Sequence, residues 1–227
     1  MNFSFKELSG FEKLLWITSL AAVTASFLTS KNFNLLSLFA SLIGVSGVIL
    51  CAKGNVWGQI LIIIFSILYA VVSFEQKYYG EMITYLGMSA PVAAVSVYIW
   101  IKNPHTKSQV KVGKLDIKRL IILTVSTVIV TFIFYFILKH LGTNSLVFST
   151  ISVTTSFLAS ALTTLRVEYY ALAYAANDIV LIILWIIAAI GDIGYLTMII
   201  CFSVFLINDV YGFYNWKKIK KIQENGR

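Results

Sequence analysis

Residues 194–221 read "GYLTMIICFSVFLINDVYGFYNWKKIKK": an apolar run of bilayer length, interrupted by Asn208 and Asp209 and closed by aromatics and lysines. A hydrocarbon core about 30 Å thick takes about 20 helical residues to cross. A carboxylate inside it is costly unless it faces a protein interior. An earlier stretch, "YYGEMITYLGMSAPVAAVSVYIWIKN" at 78–103, follows the same plan. At an offset of 116 residues Tyr79 pairs with Tyr195, Met82 with Met198, Ile83 with Ile199, Tyr98 with Tyr214, Trp100 with Trp216 and Lys102 with Lys218. One helix earlier Tyr69 falls opposite Trp185, each ten residues before its paired tyrosine. Interfacial aromatics and lysines recur in unrelated membrane helices. Ordered matches at one offset, within segments of equal length, indicate an internal repeat.

Composition sets the class. The 227 residues are 59% hydrophobic and 12% charged, about half the charged fraction of a soluble domain, so the chain's solvent is lipid. Eight spans follow, at 12–30, 34–52, 55–74, 79–101, 118–139, 145–165, 168–190 and 193–216, or seven if "SKNFN" is a kink rather than a turn. Lys31-Asn32, Lys53-Gly54 and Asp192 mark the turns, and only 102–117 is a real linker. Placing the linker and both termini in the cytoplasm puts fifteen of eighteen basic residues inside, as the positive-inside bias requires. That topology explains the net charge of +8. Basic patches interleaved with aromatics, which nucleic-acid binding needs, are not present. Cys51 and Cys201 have no metal or disulfide spacing, and "MNFSFKELSGFEKLLW" reads as a retained segment rather than a signal peptide.

The repeat divides the chain into an N-terminal segment (1–33), a three-helix bundle (34–101), a linker with a connecting helix (102–144), a second bundle (145–218) and a basic tail (219–227). One spacer crossing leaves both bundles in the same orientation. This is the parallel 3+1+3 plan of SWEET-like transporters, with an extra N-terminal helix.

Polar stripes locate a candidate site. On span seven Tyr170, Tyr174, Asn177, Asp178, Leu181 and Trp185 recur at helical spacing, with Asn177 and Asp178 near mid-membrane. Span three carries Asn55, Gln59, Ser66 and Tyr69; span four carries Glu81, Tyr85, Met88 and Ser89, with Pro91 allowing a kink; span eight adds Asn208 and Asp209. Rings beside amides suit a flat, polar heteroaromatic solute, through stacking area and paired donors and acceptors. Ser66 and Ser89 also suit interhelical glue. Trp57, Trp100 and Trp216 read as interface anchors, and Glu168 as the ion-pair partner of Arg166. His105 and His140 lie away from any nucleophile at membrane depth. No cofactor, metal or catalytic constellation is expected.

The order Arg166-x-Glu168, Asn177-Asp178 before Trp185, "GYLTMI" and "YGFYNWKK", with "GNVWGQ" and "YYGEMITYLG" in the first half, resembles the PnuC family of nicotinamide riboside transporters over residues 34–218. The resemblance implies facilitated diffusion of a vitamin precursor across the cell membrane, trapping by a cytoplasmic kinase, and a homotrimer. In the family the penultimate helix carries Trp-x-x-x-Asn-Asp-x6-Trp. Here Ala173 holds the first tryptophan's place, beside Tyr170 and Tyr174, and thiamine and riboflavin stay open as substrates. On this reading Trp185, Tyr174 and Tyr170 stack on the pyridine or flank the ribose, and Asn177 and Gln59 hydrogen-bond the carboxamide or ribose hydroxyls. Asp178 or Asp209 balances the cationic ring or packs helices; a proton- or sodium-coupled transporter would use the same two as its coupling site. Asn55, Tyr69, Tyr85 and Asn208 complete the candidate set.

The topology is testable. Cysteines introduced at Lys107 and Asn225 should resist an impermeant thiol reagent added outside intact cells; labelling at either would reverse the orientation.

Overall fold

The computed structural model describes residues 7–29, 35–75, 77–191 and 195–225. Over these, eight helices are long and apolar enough to cross a membrane. They are α1 (Gly10–Thr29), α2 (Leu35–Ala52), α3 (Val56–Glu75), α4 (Tyr79–Lys102), α5 (Ile117–His140), α6 (Leu146–Leu165), α7 (Tyr169–Gly191) and α8 (Leu196–Asn225). The count is eight rather than seven. Lys31, Asn32 and Asp192, expected at turns, lie outside the described residues.

Local chemistry sets the helix ends. Ser9 and Glu12 form a capping box at the start of α1: the Ser9 N–H donates to Glu12 Oε2 at 2.6 Å and the Glu12 N–H to Ser9 Oγ at 3.3 Å. Asp116 caps α5 by accepting from the Arg119 N–H at 2.8 Å. Gly54 turns α2 into α3 at φ +69°, a conformation that costs a glycine nothing. In α4 a π-turn spans Tyr85–Ser89, closed by the Ala90 N–H donating back to the Tyr85 carbonyl. Pro91 follows and has no N–H to offer the preceding turn. The expected kink is therefore a π-turn, a feature common at functional sites.

Six helices close into a ring in the order α2, α3, α4, α6, α7, α8 and back to α2. The first helix of each triplet packs on the third helix of the other. Outside the ring α5 packs on α6, and α1 packs on α2 and α8. Helix α5 is nearly bare: Ile122, Val128 and Phe132 are each more than 60% exposed, as a lipid-facing spacer requires. Helix α1 is tied down at buried Glu12, which meets Lys53 Nζ at 3.1 Å and accepts from Tyr211 Oη at 2.5 Å.

The linker folds back across one end of the ring. Its Val110 is fully buried, and the Val110 N–H donates to the Gly54 carbonyl at 2.9 Å. Gly113 lies so close to the Leu165 carbonyl that a Cβ would collide with it. The basic tail, expected to begin past the last span, is instead a continuation of α8 to Asn225. Ile219 and Gln223 are buried there, and Gln223 holds the linker through the Val110 carbonyl (3.1 Å) and the Val112 N–H (2.8 Å).

Candidate functional site

Inside the ring lies a cavity lined from both triplets. Helix α2 supplies Val48 and Cys51, α3 supplies Gln59, Ile62, Phe65 and Ser66, and the π-turn of α4 supplies Tyr85 and Ser89. Helix α7 supplies Tyr170, Tyr174, Asn177 and Asp178, and α8 supplies Phe205 and Asp209. About 40 Å³ is open to the centre of a water-sized sphere, room for about three waters.

Two apolar clusters close the cavity. At the end away from the linker, Tyr69, Tyr78, Tyr85, Trp185 and Phe202 interlock, with Tyr69 and Tyr85 ring centroids 4.5 Å apart. Here the Trp185 indole donates to the Tyr69 hydroxyl at 2.9 Å. At the linker end Trp100, Trp216, Tyr170, Val56 and Val110 pack together, with the two indoles 5.7 Å apart. In each closure a residue meets its partner at the 116-residue offset.

Trp100 and Trp216 are fully buried, which corrects their reading as interface anchors; Trp57, 45% exposed, suits that role. The reason lies in the helix ends. Trp100 Nε1 donates to the Thr163 carbonyl at 3.1 Å and Trp216 Nε1 to the Cys51 carbonyl at 2.9 Å. Both carbonyls sit in last turns, where intrahelical partners run out. The expected Arg166–Glu168 pair does not form either: Glu168 instead takes Lys220 at 2.7 Å. Burial, and then the charge of Arg119, hold the Arg166 guanidinium below its usual range.

The sequence-expected site residues divide. Gln59, Tyr85, Tyr170, Tyr174, Asn177, Asp178 and Asp209 come together on the cavity, and the side chains of Asp178 and Asp209 are within hydrogen-bonding reach of each other. Trp185 and Tyr69 lie in the closure above them. Asn55 braces the linker through the Ser108 carbonyl at 2.9 Å and caps α3 through the Trp57 N–H at 3.0 Å. Asn208 is turned toward α1, donating to Ser19 Oγ at 3.1 Å. Cys51, passed over as packing, lines the cavity and accepts from Gln59 Nε2 at 3.0 Å. Ser152 and Thr155 were also missed. They meet Asn177 from α6, and the only trace in the sequence is the density of hydroxyls in "STISVTTSFLASALTT". The residues lining the cavity include no lysine, arginine or histidine. Among the described residues no cluster of metal-ligating side chains occurs.

Comparison with known proteins places these features. A family profile described as nicotinamide mononucleotide transporter matches residues 34–218. The chain is 28% identical over 215 residues to a nicotinamide riboside transporter PnuC of Neisseria mucosa, covering 91% of this chain and 81% of that protein. It is 27% identical over 189 residues to the PnuC of Haemophilus influenzae, covering 82% and 80%. A crystal structure of a vitamin B3 transporter PnuC superposes with a TM-score of 0.84 at 26% identity, covering 96% of this chain and 95% of the other.

If the cavity is the solute site, Asn177→Leu removes a polar partner and should cost about 1–3 kcal/mol, roughly a five- to over a hundredfold loss of affinity. Ser203→Ala is the control, since the Ser203 hydroxyl only returns to the Ile199 carbonyl of its own helix. Calorimetry on both variants, with gel filtration confirming folding, measures the difference.

Proposed function

The chain belongs to the PnuC family of membrane transporters, not to an enzyme family, and on that premise we propose that it carries nicotinamide riboside across the plasma membrane by facilitated diffusion. A cytoplasmic kinase then traps the solute by phosphorylation. The observation that carries this reading is the make-up of the cavity: tyrosines, two amides and a carboxyl pair, with no basic side chain.

Each part matches a part of the solute. The pyridinium ring of nicotinamide riboside is flat and cationic, and tyrosine faces attract such a cation. Tyr170 and Tyr174 offer that surface, while Gln59 and Asn177 serve the carboxamide or ribose hydroxyls. Asp178 and Asp209 bring two carboxyl groups onto the same cavity, placed to balance the cationic ring. The family description names the mononucleotide, but its phosphate would meet this carboxyl pair with no arginine or lysine to receive it. The riboside is therefore the better fit. Trp185 and Tyr69 close over the loaded site rather than line it.

The same reading sets the architecture in the membrane. The two triplets act as a parallel, SWEET-like pair of bundles, spanning 34–101 and 145–218, joined through 102–144. The linker end faces the cytoplasm with both termini. The exposed face of α5 is available to lipid and to neighbouring subunits of a homotrimer. The alternatives are thiamine or riboflavin as solute, and proton or sodium coupling through Asp178 or Asp209.

Binding and flux separate these. Calorimetry should rank the riboside above thiamine and riboflavin, and at least about tenfold above the mononucleotide, a difference of about 1.4 kcal/mol. Liposomes holding only buffer should equilibrate the riboside and stop; accumulation driven by a proton or sodium gradient would show coupling instead.

A further inference from the structure

Helix α6 gives no residue to the cavity lining, yet it bonds two residues that do line it: Ser160 Oγ lies 3.2 Å from Tyr174 Oη, and the second contact is at Asn177. Asn177, 1% exposed as a residue, receives two hydroxyls there. Thr155 Oγ1 donates to Asn177 Oδ1 at 2.8 Å and Ser152 Oγ reaches the same oxygen at 3.2 Å. An amide oxygen has two lone pairs and the amide nitrogen two protons. With the oxygen occupied on the α6 side, the nitrogen is what Asn177 has left for the cavity it lines.

We propose that Thr155, assisted by Ser152, is a positioning residue that holds the Asn177 amide with Nδ2 toward the cavity, so that the site selects a solute presenting a hydrogen-bond acceptor there. This deepens the transporter reading and rests on it. The acceptor is an uncharged oxygen, such as a carboxamide carbonyl or a ribose hydroxyl. Of the two hydroxyls Thr155 is the principal brace. Its contact with Asn177 is shorter than those with the Ile151 carbonyl (3.0 Å) and the Ser152 carbonyl (3.1 Å). The single proton of Ser152 is also contested by Glu81 Oε2 at 3.3 Å. Glu81 is fully buried and its other oxygen has no partner among the described residues, so Ser152 is divided between the amide and this carboxyl group. Were the amide reversed, the site would offer an acceptor and select donors. Orientation at Asn177 therefore fixes which edge of the solute is read.

Calorimetric binding of nicotinamide riboside to the purified protein tests this, with gel filtration confirming that each variant is folded. Thr155→Val should weaken binding about three- to tenfold, the worth of one hydrogen bond, and Thr155→Ser, which keeps the hydroxyl, should recover most of it. In an Asn177→Leu background Thr155→Val should change nothing further, because a residue acting only through Asn177 loses its effect with it. Asn177→Asp keeps the shape but replaces Nδ2 with an acceptor, and should lose more than about tenfold. Equal weakening by Thr155→Val in both backgrounds overturns the positioning role, as does wild-type affinity in Asn177→Asp. Those results leave the transporter reading standing; no riboside binding by the wild type overturns that reading and this one with it.

Discussion

A carboxylate has no stable place against hydrocarbon, and the rest of this structure answers that constraint. Asp178 and Asp209 fall in the middle of two membrane-length helices and are 3% and 6% exposed. The chain hides them by turning α7 and α8 inward and closing six helices into a ring around a small polar cavity. Gln59 and Asn177 join the carboxyl pair on that cavity, and Glu81 is buried close by, bonded to Ser152. The outward faces are left to isoleucine, valine and phenylalanine.

The offset of 116 residues has a physical meaning in the folded chain. Tyr69 and Trp185 are hydrogen-bonded at one end of the cavity, and Trp100 and Trp216 pack at the other. Residues related by a two-fold repeat meet only near the axis relating them, so both contacts support such an axis running through the closures and the cavity between them. Each closure is built from a position and its counterpart. Parting the two triplets at one end while they stay packed at the other would expose the cavity to one side at a time.

Much of the fold was legible because its signals are local or periodic. Span length was readable, and helix limits fell within a few residues except at α8. That helix runs on to Asn225 because Gln223 and Ile219 find partners in a linker far away in sequence. The polar stripe of α7 places Tyr170, Tyr174, Asn177 and Asp178 on the cavity and carries Trp185 on into the closure, because a stripe gives a face and not a depth. Asn55 and Asn208 show the same limit: an amide on a helix looks alike whether it serves a solute, a linker or the neighbouring α1. Trp100 and Trp216 were misread for a related reason. Indoles near a span's end usually sit at the lipid interface, and only the folded chain shows carbonyls of other helices waiting for them.

The central claim is that the solute is held between the two closures, against Asn177, Gln59 and the Asp178–Asp209 pair. A structure determined with nicotinamide riboside bound tests it most directly. The ring should lie beside Tyr170 and Tyr174 in a widened cavity, with an oxygen of the solute on Asn177 Nδ2. A riboside bound instead at the linker-end surface around Lys53, Thr106 and Gln109, with the cavity still closed, would contradict it.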